Sequence, residues 1–190
     1  MILGITGGTG CGKTTLLELI REKGGLVLDC DAIYHALLTT DGALIHAIEG
    51  RFPGTVENGQ LQRKKLGAIV FGDKAALEDL NRITHGAVKK EVLRQLDPEP
   101  KLAAIDAIGL FESGMDKLCK LTVAVVAPKD QRIRRLMARD GITESYAAAR
   151  IDAQPSGEEF ARRCDYTLVN DGTREEFREK CLAFLTQAGL

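Results

Sequence analysis

"ILGITGGTGCGKTTLLELI" (residues 2–20) decides how this chain folds. An apolar run, residues 2–6, enters a cluster of glycines, and a helical apolar pattern leaves it through Leu16, Leu17, Leu19 and Ile20. Between them "GGTGCGKT" (7–14) satisfies G-x-x-x-x-G-K-[ST] with Gly7, Gly12, Lys13 and Thr14. Each residue type has a mechanical reason. Glycines let backbone N–H groups curl around phosphate oxygens without Cβ clashes, and the helix that follows aims its positive end at the anion. The lysine reaches the β and γ phosphates, and the threonine hydroxyl ligates Mg²⁺. Gly8, Thr9, Gly10, Cys11, Gly12, Lys13, Thr14 and Thr15 are therefore expected to hold a nucleoside triphosphate, with Thr14 on its metal. A bare glycine turn preceding Lys-Thr is the competing reading, and the strand before and helix after weigh against it.

Outward from this unit, strand-like and helix-like stretches alternate. Residues 26–29, 102–106, 121–127 and 166–170 are short runs, apolar almost throughout, the pattern of parallel strands covered on both faces. An α/β, three-layer P-loop NTPase fold with a mostly parallel five-stranded sheet follows, as one domain over residues 1–190. Residues 32–97 carry helical patterns and no clear strand, so an inserted helical lobe is expected, ended by "DPEP". Residues 130–163, rich in arginine and broken by "DG" and "PSG", read as a mobile flap of short helices, an arginine-rich lid.

Bulk properties narrow the partners. A net charge of −1 gives no reason to expect nucleic acid or an anionic membrane, and no apolar stretch approaches the ~20 residues of a membrane span. Five cysteines without a C-x-x-C pair, Cys11, Cys30, Cys119, Cys164 and Cys181, disfavour disulfides and thiolate zinc and suit a reducing cytoplasm. No N/T-K-x-D base reader of a GTPase switch is present. No obligate protein partner is expected.

"LVLDCDAIYH" (26–35) places Asp29 and Asp31 just past a strand, at the sheet edge where ligands of parallel α/β proteins bind. A carboxylate there can align an acceptor hydroxyl beside a triphosphate, and a helix N-cap is the alternative for Asp31. Arg132, Arg135 and Arg139 recur on one helix face, and Arg139, at its end, is chosen as the arginine that closes over the phosphates, with Arg150 second. Asp106, at a strand C-terminus, could hold the Mg²⁺ shell or simply cap its strand. Cys11 lies near a helix N-terminus, which lowers a thiol pKa, yet a small space-filling residue is expected there, with ATP blocked by its alkylation as the alternative. Kinase chemistry leads; an ATP-binding regulatory module is the reading from another class.

"TGGTGCGKT" (6–14) and "DCDAIYH" (29–35) resemble the paired motifs of the dephospho-CoA kinase family, followed in family order by "LNRITH" (80–85), "LFESG" (110–114), residues 131–154 and "CDYTLVNDG" (164–172). The resemblance implies ATP·Mg²⁺ as donor and the ribose 3′-hydroxyl of dephospho-CoA as acceptor. It implies that Asp31 takes or orients the hydroxyl proton, while Lys13 and Arg139 stabilise the transferring phosphoryl. It assigns the acceptor to a lobe spanning roughly 38–97, with His85 and Arg63 on its phosphates and His35 and Asp106 on the substrate side, and places Asn170 beside the adenine. Another small-molecule or nucleotide kinase is the nearest alternative. The chain departs from the family pattern at Gly86, where proline commonly follows the histidine, and at "AIG" (107–109), where "VPL" is common.

Overall fold

A computed structural model describes residues 1–70 and 72–190. In chain order its elements are β1 (Ile2–Thr6), α1 (Lys13–Glu22), β2 (Leu26–Asp29), α2 (Cys30–Thr40), α3 (Gly42–Arg51), β3 (Val56–Glu57), β4 (Gln60–Leu61), α4 (Arg63–Val70) and α5 (Lys74–Gln95). There follow β5 (Ala103–Asp106), a 3₁₀ turn (Asp116–Leu118), β6 (Leu121–Val126), α6 (Lys129–Asp140), α7 (Glu144–Asp152), α8 (Gly157–Arg163), β7 (Tyr166–Val169) and α9 (Arg174–Gln187). They divide into two compact units, Met1–Leu28 with Pro100–Leu190, and Asp29–Glu99.

The first unit is built on a five-stranded sheet of order β2-β5-β1-β6-β7. β1 runs parallel to both β5 and β6, and β6 to β7. The chain fills positions on one side of β1 and then crosses to the other. The C-terminal end of β1 is therefore a topological switch point, where ligands of open α/β sheets bind. Leu3 and Ile5 of β1, Val123 and Val125 of β6 and Leu168 of β7 project onto one face. Leu16, Leu17, Leu19 and Ile20 of α1, with Phe177, Cys181, Phe184 and Leu185 of α9, complete that core. Burying one such large apolar side chain contributes about 1.5–3 kcal/mol. Residues 130–163 form α6, α7 and α8, and Leu136, Ala147 and Ile151 pack α6 against α7.

The second unit is mainly helical, around Leu38, Leu44, Ile48, Phe52, Leu66, Val70, Ala76 and Leu80. Among the described residues it departs from the strandless expectation at the β3–β4 hairpin, with Val56 opposite Leu61 and Glu57 opposite Gln60. Asn58 (φ 49°) and Gly59 (φ 74°) are both left-handed, the backbone that a two-residue hairpin turn requires. The Glu49 carboxylate fixes the approach by accepting from the Gly54 and Val56 N–H groups, each at 2.7 Å.

Candidate active site

Most helices of this protein open on a side-chain cap: Asp29, Asp41, Asp73, Thr143, Ser156 and Thr173 serve α2, α3, α5, α7, α8 and α9. α1 does not. Its N-cap is Gly12, at φ 96°, with no side-chain cap bond and no acid in the first turn. A helix start left this way keeps its amides and its positive dipole end for an anion. Only glycine suits position 12, since a Cβ there would sit 2.2 Å from Asn170 Nδ2 in a left-handed backbone.

The loop is held from behind. Three successive carbonyls accept side-chain hydrogen bonds: Thr9 from Arg132 Nε at 2.9 Å, Gly10 from Arg135 Nη1 at 3.3 Å, and Cys11 from Asn170 Nδ2 at 2.9 Å. In a trans peptide the N–H points opposite to the C=O, so tying these oxygens outward turns the Gly10 and Gly12 amides the other way, into the cradle. The Cys11 N–H is used within the loop, on the Gly8 carbonyl at 3.3 Å. Asn170 is in turn fixed by its own N–H on Val126 O (2.8 Å) and by Arg135 Nη2 on its side-chain oxygen (3.1 Å). Gln154 Oε1 accepts from the Thr9 N–H at 2.8 Å.

Lys13, the first residue of α1, donates to the Gly7 carbonyl at 3.0 Å and lies 3.4 Å from Asp106 Oδ1. The sheet register, Ile5 beside Asp106, brings that carboxylate to the loop at the end of β5. Both side chains are about 15% exposed, so the charges are only partly screened by water. Thr14 is exposed at the second position of α1. Among the described residues no group of three or more His, Cys, Asp or Glu forms a metal centre. A hydroxyl and one carboxylate suit Mg²⁺, which takes few protein ligands and completes its shell with phosphate oxygens and water.

Cys11 is packed as the small filler the sequence reading expects. It is 2% exposed, and burial pushes its thiol up, outweighing the opposing charge of Lys13. A helix N-terminus lowers a thiol pKa only where the thiolate is solvated enough to exist.

The arginine row divides. Arg132 and Arg135 lie on the loop, whereas Arg139, one turn further along α6, is 60% exposed. Arg139 makes a bidentate pair with its neighbour Asp140 (2.6 and 3.0 Å), which also accepts from Arg150 at 2.8 Å. These bonds, Arg139's first, hold the Asp140 carboxyl down at about 2. The Asn170 side chain, expected beside adenine, is buried and engaged with the loop. Sequence spacing already placed Arg132 and Arg135 on the right face; nothing local in the sequence singled out Gln154.

The remaining expected residues belong to the second unit. Asp29, not Asp31, caps α2, its Oδ1 accepting from the Ala32 N–H at 3.0 Å. That leaves the Asp31 carboxylate exposed in the first turn. His35 Nδ1–H donates to the Asp31 carbonyl at 2.6 Å, which leaves Nε2 as an acceptor. Arg63 starts α4 and lines a cavity of about 200 Å³ with Tyr34, Leu38, Leu61, Leu66 and Leu80. His85 is half-buried in α5, and a Cβ at Gly86 would meet nothing within 4 Å.

A phosphate loop at the switch point of a parallel sheet, backed by an arginine helix, with a lysine at the head of α1, defines the P-loop kinase class. Shikimate kinase from Bacteroides thetaiotaomicron shares the fold at a TM-score of 0.53 and 18% identity, over 100% of this chain and 99% of that one. The CoaE family model, dephospho-CoA kinase, matches residues 1–176. The dephospho-CoA kinase of Geobacillus kaustophilus is 37% identical, covering 98% of this chain and 96% of that one. A solved dephospho-CoA kinase from Campylobacter jejuni superimposes with a TM-score of 0.69 at 28% identity, covering 98% and 96% of the two chains. The Thermus thermophilus protein TT1252 reaches a TM-score of 0.84 at 33% identity, over 99% and 97%. The chain belongs to the dephospho-CoA kinase family, and it is a kinase.

Proposed function

We propose that this protein transfers the γ-phosphoryl of ATP to the ribose 3′-hydroxyl of dephospho-CoA, giving coenzyme A. The observation that supports it most is the family match over residues 1–176, with the phosphate loop complete at every required position. Phosphoryl transfer asks for alignment and charge compensation rather than covalent chemistry from the protein. The amides of Gly10 and Gly12 and the head of α1 bind the phosphates. Lys13 exchanges the Asp106 carboxylate for phosphate oxygens, which puts its charge on the transferring group. The Thr14 hydroxyl and the Asp106 carboxylate would hold Mg²⁺, which would supply further neutralisation of the phosphate charge.

On the acceptor side Asp31 receives the proton as the 3′-oxygen bonds to phosphorus and the bridge to the β-phosphate breaks. Its exposure and freedom from the capping duty that Asp29 performs suit that role. His35, Arg63 and His85 bind the acceptor, the last two on its phosphates. Arg139 stabilises the transferring phosphoryl after leaving Asp140, and residues 170–172 flank the adenine. The reading is tested by incubating the protein with γ-labelled ATP, Mg²⁺ and dephospho-CoA. Label should move to the acceptor, and Asp31→Asn should slow turnover ~100-fold or more while binding of a non-hydrolysable ATP analogue is kept, the scale of general-base loss. Full activity in Asp31→Asn would remove that residue from the mechanism.

A further inference from the structure

Arg132 is the one buried arginine among the described residues, although Arg135 likewise donates to neutral oxygens. Arg132 is 6% exposed, and its hydrogen bonds run to neutral oxygens: Nε to the Thr9 carbonyl at 2.9 Å and Nη2 to Gln154 Oε1 at 3.3 Å. No ion pair among the described residues includes it, whereas Lys129 on the same helix is paired with Asp152. The guanidinium lies so close behind the loop that a Cβ at Gly8 would come within 2.2 Å of Nη2. Gln154, just past the end of α7, closes the arrangement. Its Oε1 accepts from both Arg132 and the Thr9 N–H, so one amide oxygen joins the tip of the loop to α6 and α7.

A buried cation is normally held by a carboxylate, because taking an ion out of water without one is expensive. An isolated one persists where its field is useful or where an anion completes it. Here the hydrogen-bonding acceptors are neutral and Asp152, the carboxylate whose field reaches Arg132, is paired with Lys129, so net positive charge remains at the back of a loop proposed to receive a triphosphate at its front. The charge acts through a low-dielectric wall, where electrostatic interactions are strong.

We infer that Arg132 and Gln154 are positioning residues for the nucleotide: Gln154 pins Thr9, and Arg132 supplies a permanent positive charge behind the phosphate loop that strengthens triphosphate binding without touching it. This rests on the loop binding a triphosphate and not on the identity of the acceptor.

Gln154→Glu gives the decisive test. It keeps an oxygen acceptor for Thr9 and for Arg132, yet places a carboxylate against the guanidinium and cancels its charge. Binding of a non-hydrolysable ATP analogue is measured without acceptor by calorimetry, alongside thermal stability and the KM of each substrate. The expected result is a fold as stable as the parent or more so, with affinity for the analogue and KM for ATP each worse by ~10-fold and acceptor KM within about twofold. Arg132→Met should show the same ATP defect, and Arg132→Lys should recover part of it. If Gln154→Glu is stable and binds the analogue as tightly as the parent, the charge is irrelevant and the pair is only structural. If Arg132→Met fails to fold, the Gln154→Glu comparison still decides. Loss of analogue binding in the parent protein would strike the triphosphate reading itself, and failure of dephospho-CoA as acceptor would leave this inference standing.

Discussion

Lys13 Nζ lies 3.0 Å from the Gly7 carbonyl and 3.4 Å from Asp106, so before nucleotide arrives its charge is already satisfied locally. That arrangement holds the side chain at the cradle instead of letting it sample solvent, and it defines what a substitution removes. Lys13→Ala should weaken binding of an ATP analogue and lower turnover severely; loss of turnover with binding untouched would mean that the lysine does not touch the phosphates. Cys11 makes an opposite kind of prediction. Its thiol is buried and pushed up, and burial likewise holds Cys119 at about 12, Cys164 at about 11 and Cys181 at about 12. At pH 7.5 iodoacetamide should therefore leave Cys11 of the native protein unmodified over hours, and denaturant should expose it. Rapid stoichiometric labelling of Cys11 with loss of ATP binding would contradict this. The residue types of the loop were readable because phosphate chemistry dictates them by position. The thiol was not, because its pKa depends on packing from β6 and α6 that no local pattern reveals.

Among the elements, α6 and α7 carry the cluster in which Asp140 accepts from both Arg139 and Arg150. The folded carboxyl titrates at about 2, against ~3.9 for an ordinary aspartate. A depressed folded pKa contributes stability that is present above pH ~4 and is lost as pH falls through ~2. Glu91 of α5, held at about 2 by Arg94 and then Gln95, behaves the same way within the second unit. Protection of the α6 and α7 amides, measured relative to intrinsic exchange, should thus fall between pH 4 and 2, and Asp140→Asn should flatten that dependence in these helices while leaving α5 unchanged. An unaltered acid slope in the variant would show that the pair is too screened to matter, the usual fate of exposed ion pairs. The parallel strands were legible as unbroken apolar runs, a consequence of cover on both faces. The β3–β4 hairpin escaped because each strand is two residues long, although "ENGQ" (57–60) carries the Asn-Gly pair that such turns favour. The arginine face of α6 was visible from spacing, but spacing could not tell which turn of it meets the loop.

For the whole molecule, order along the chain proved more informative than composition. The strand–loop–helix at residues 2–20 fixes a parallel sheet, and the strand order then forces the phosphate loop to its switch point. The second compact unit, Asp29–Glu99, begins at the end of β2. The reason is that Asp29 both ends β2 and caps α2, so no linker separates strand from lobe. The proposed function is thereby divided between a sheet unit for the donor and a helical unit for the acceptor. What the helical unit accepts decides the reaction. The most direct measurement is an acceptor panel with ATP and Mg²⁺, comparing dephospho-CoA with adenosine, nucleoside monophosphates, pantothenate and shikimate, and locating the new phosphate by NMR. Dephospho-CoA should be preferred and carry the phosphate on its 3′-oxygen; preference for any other acceptor, or phosphate elsewhere on the ribose, would contradict the proposed function.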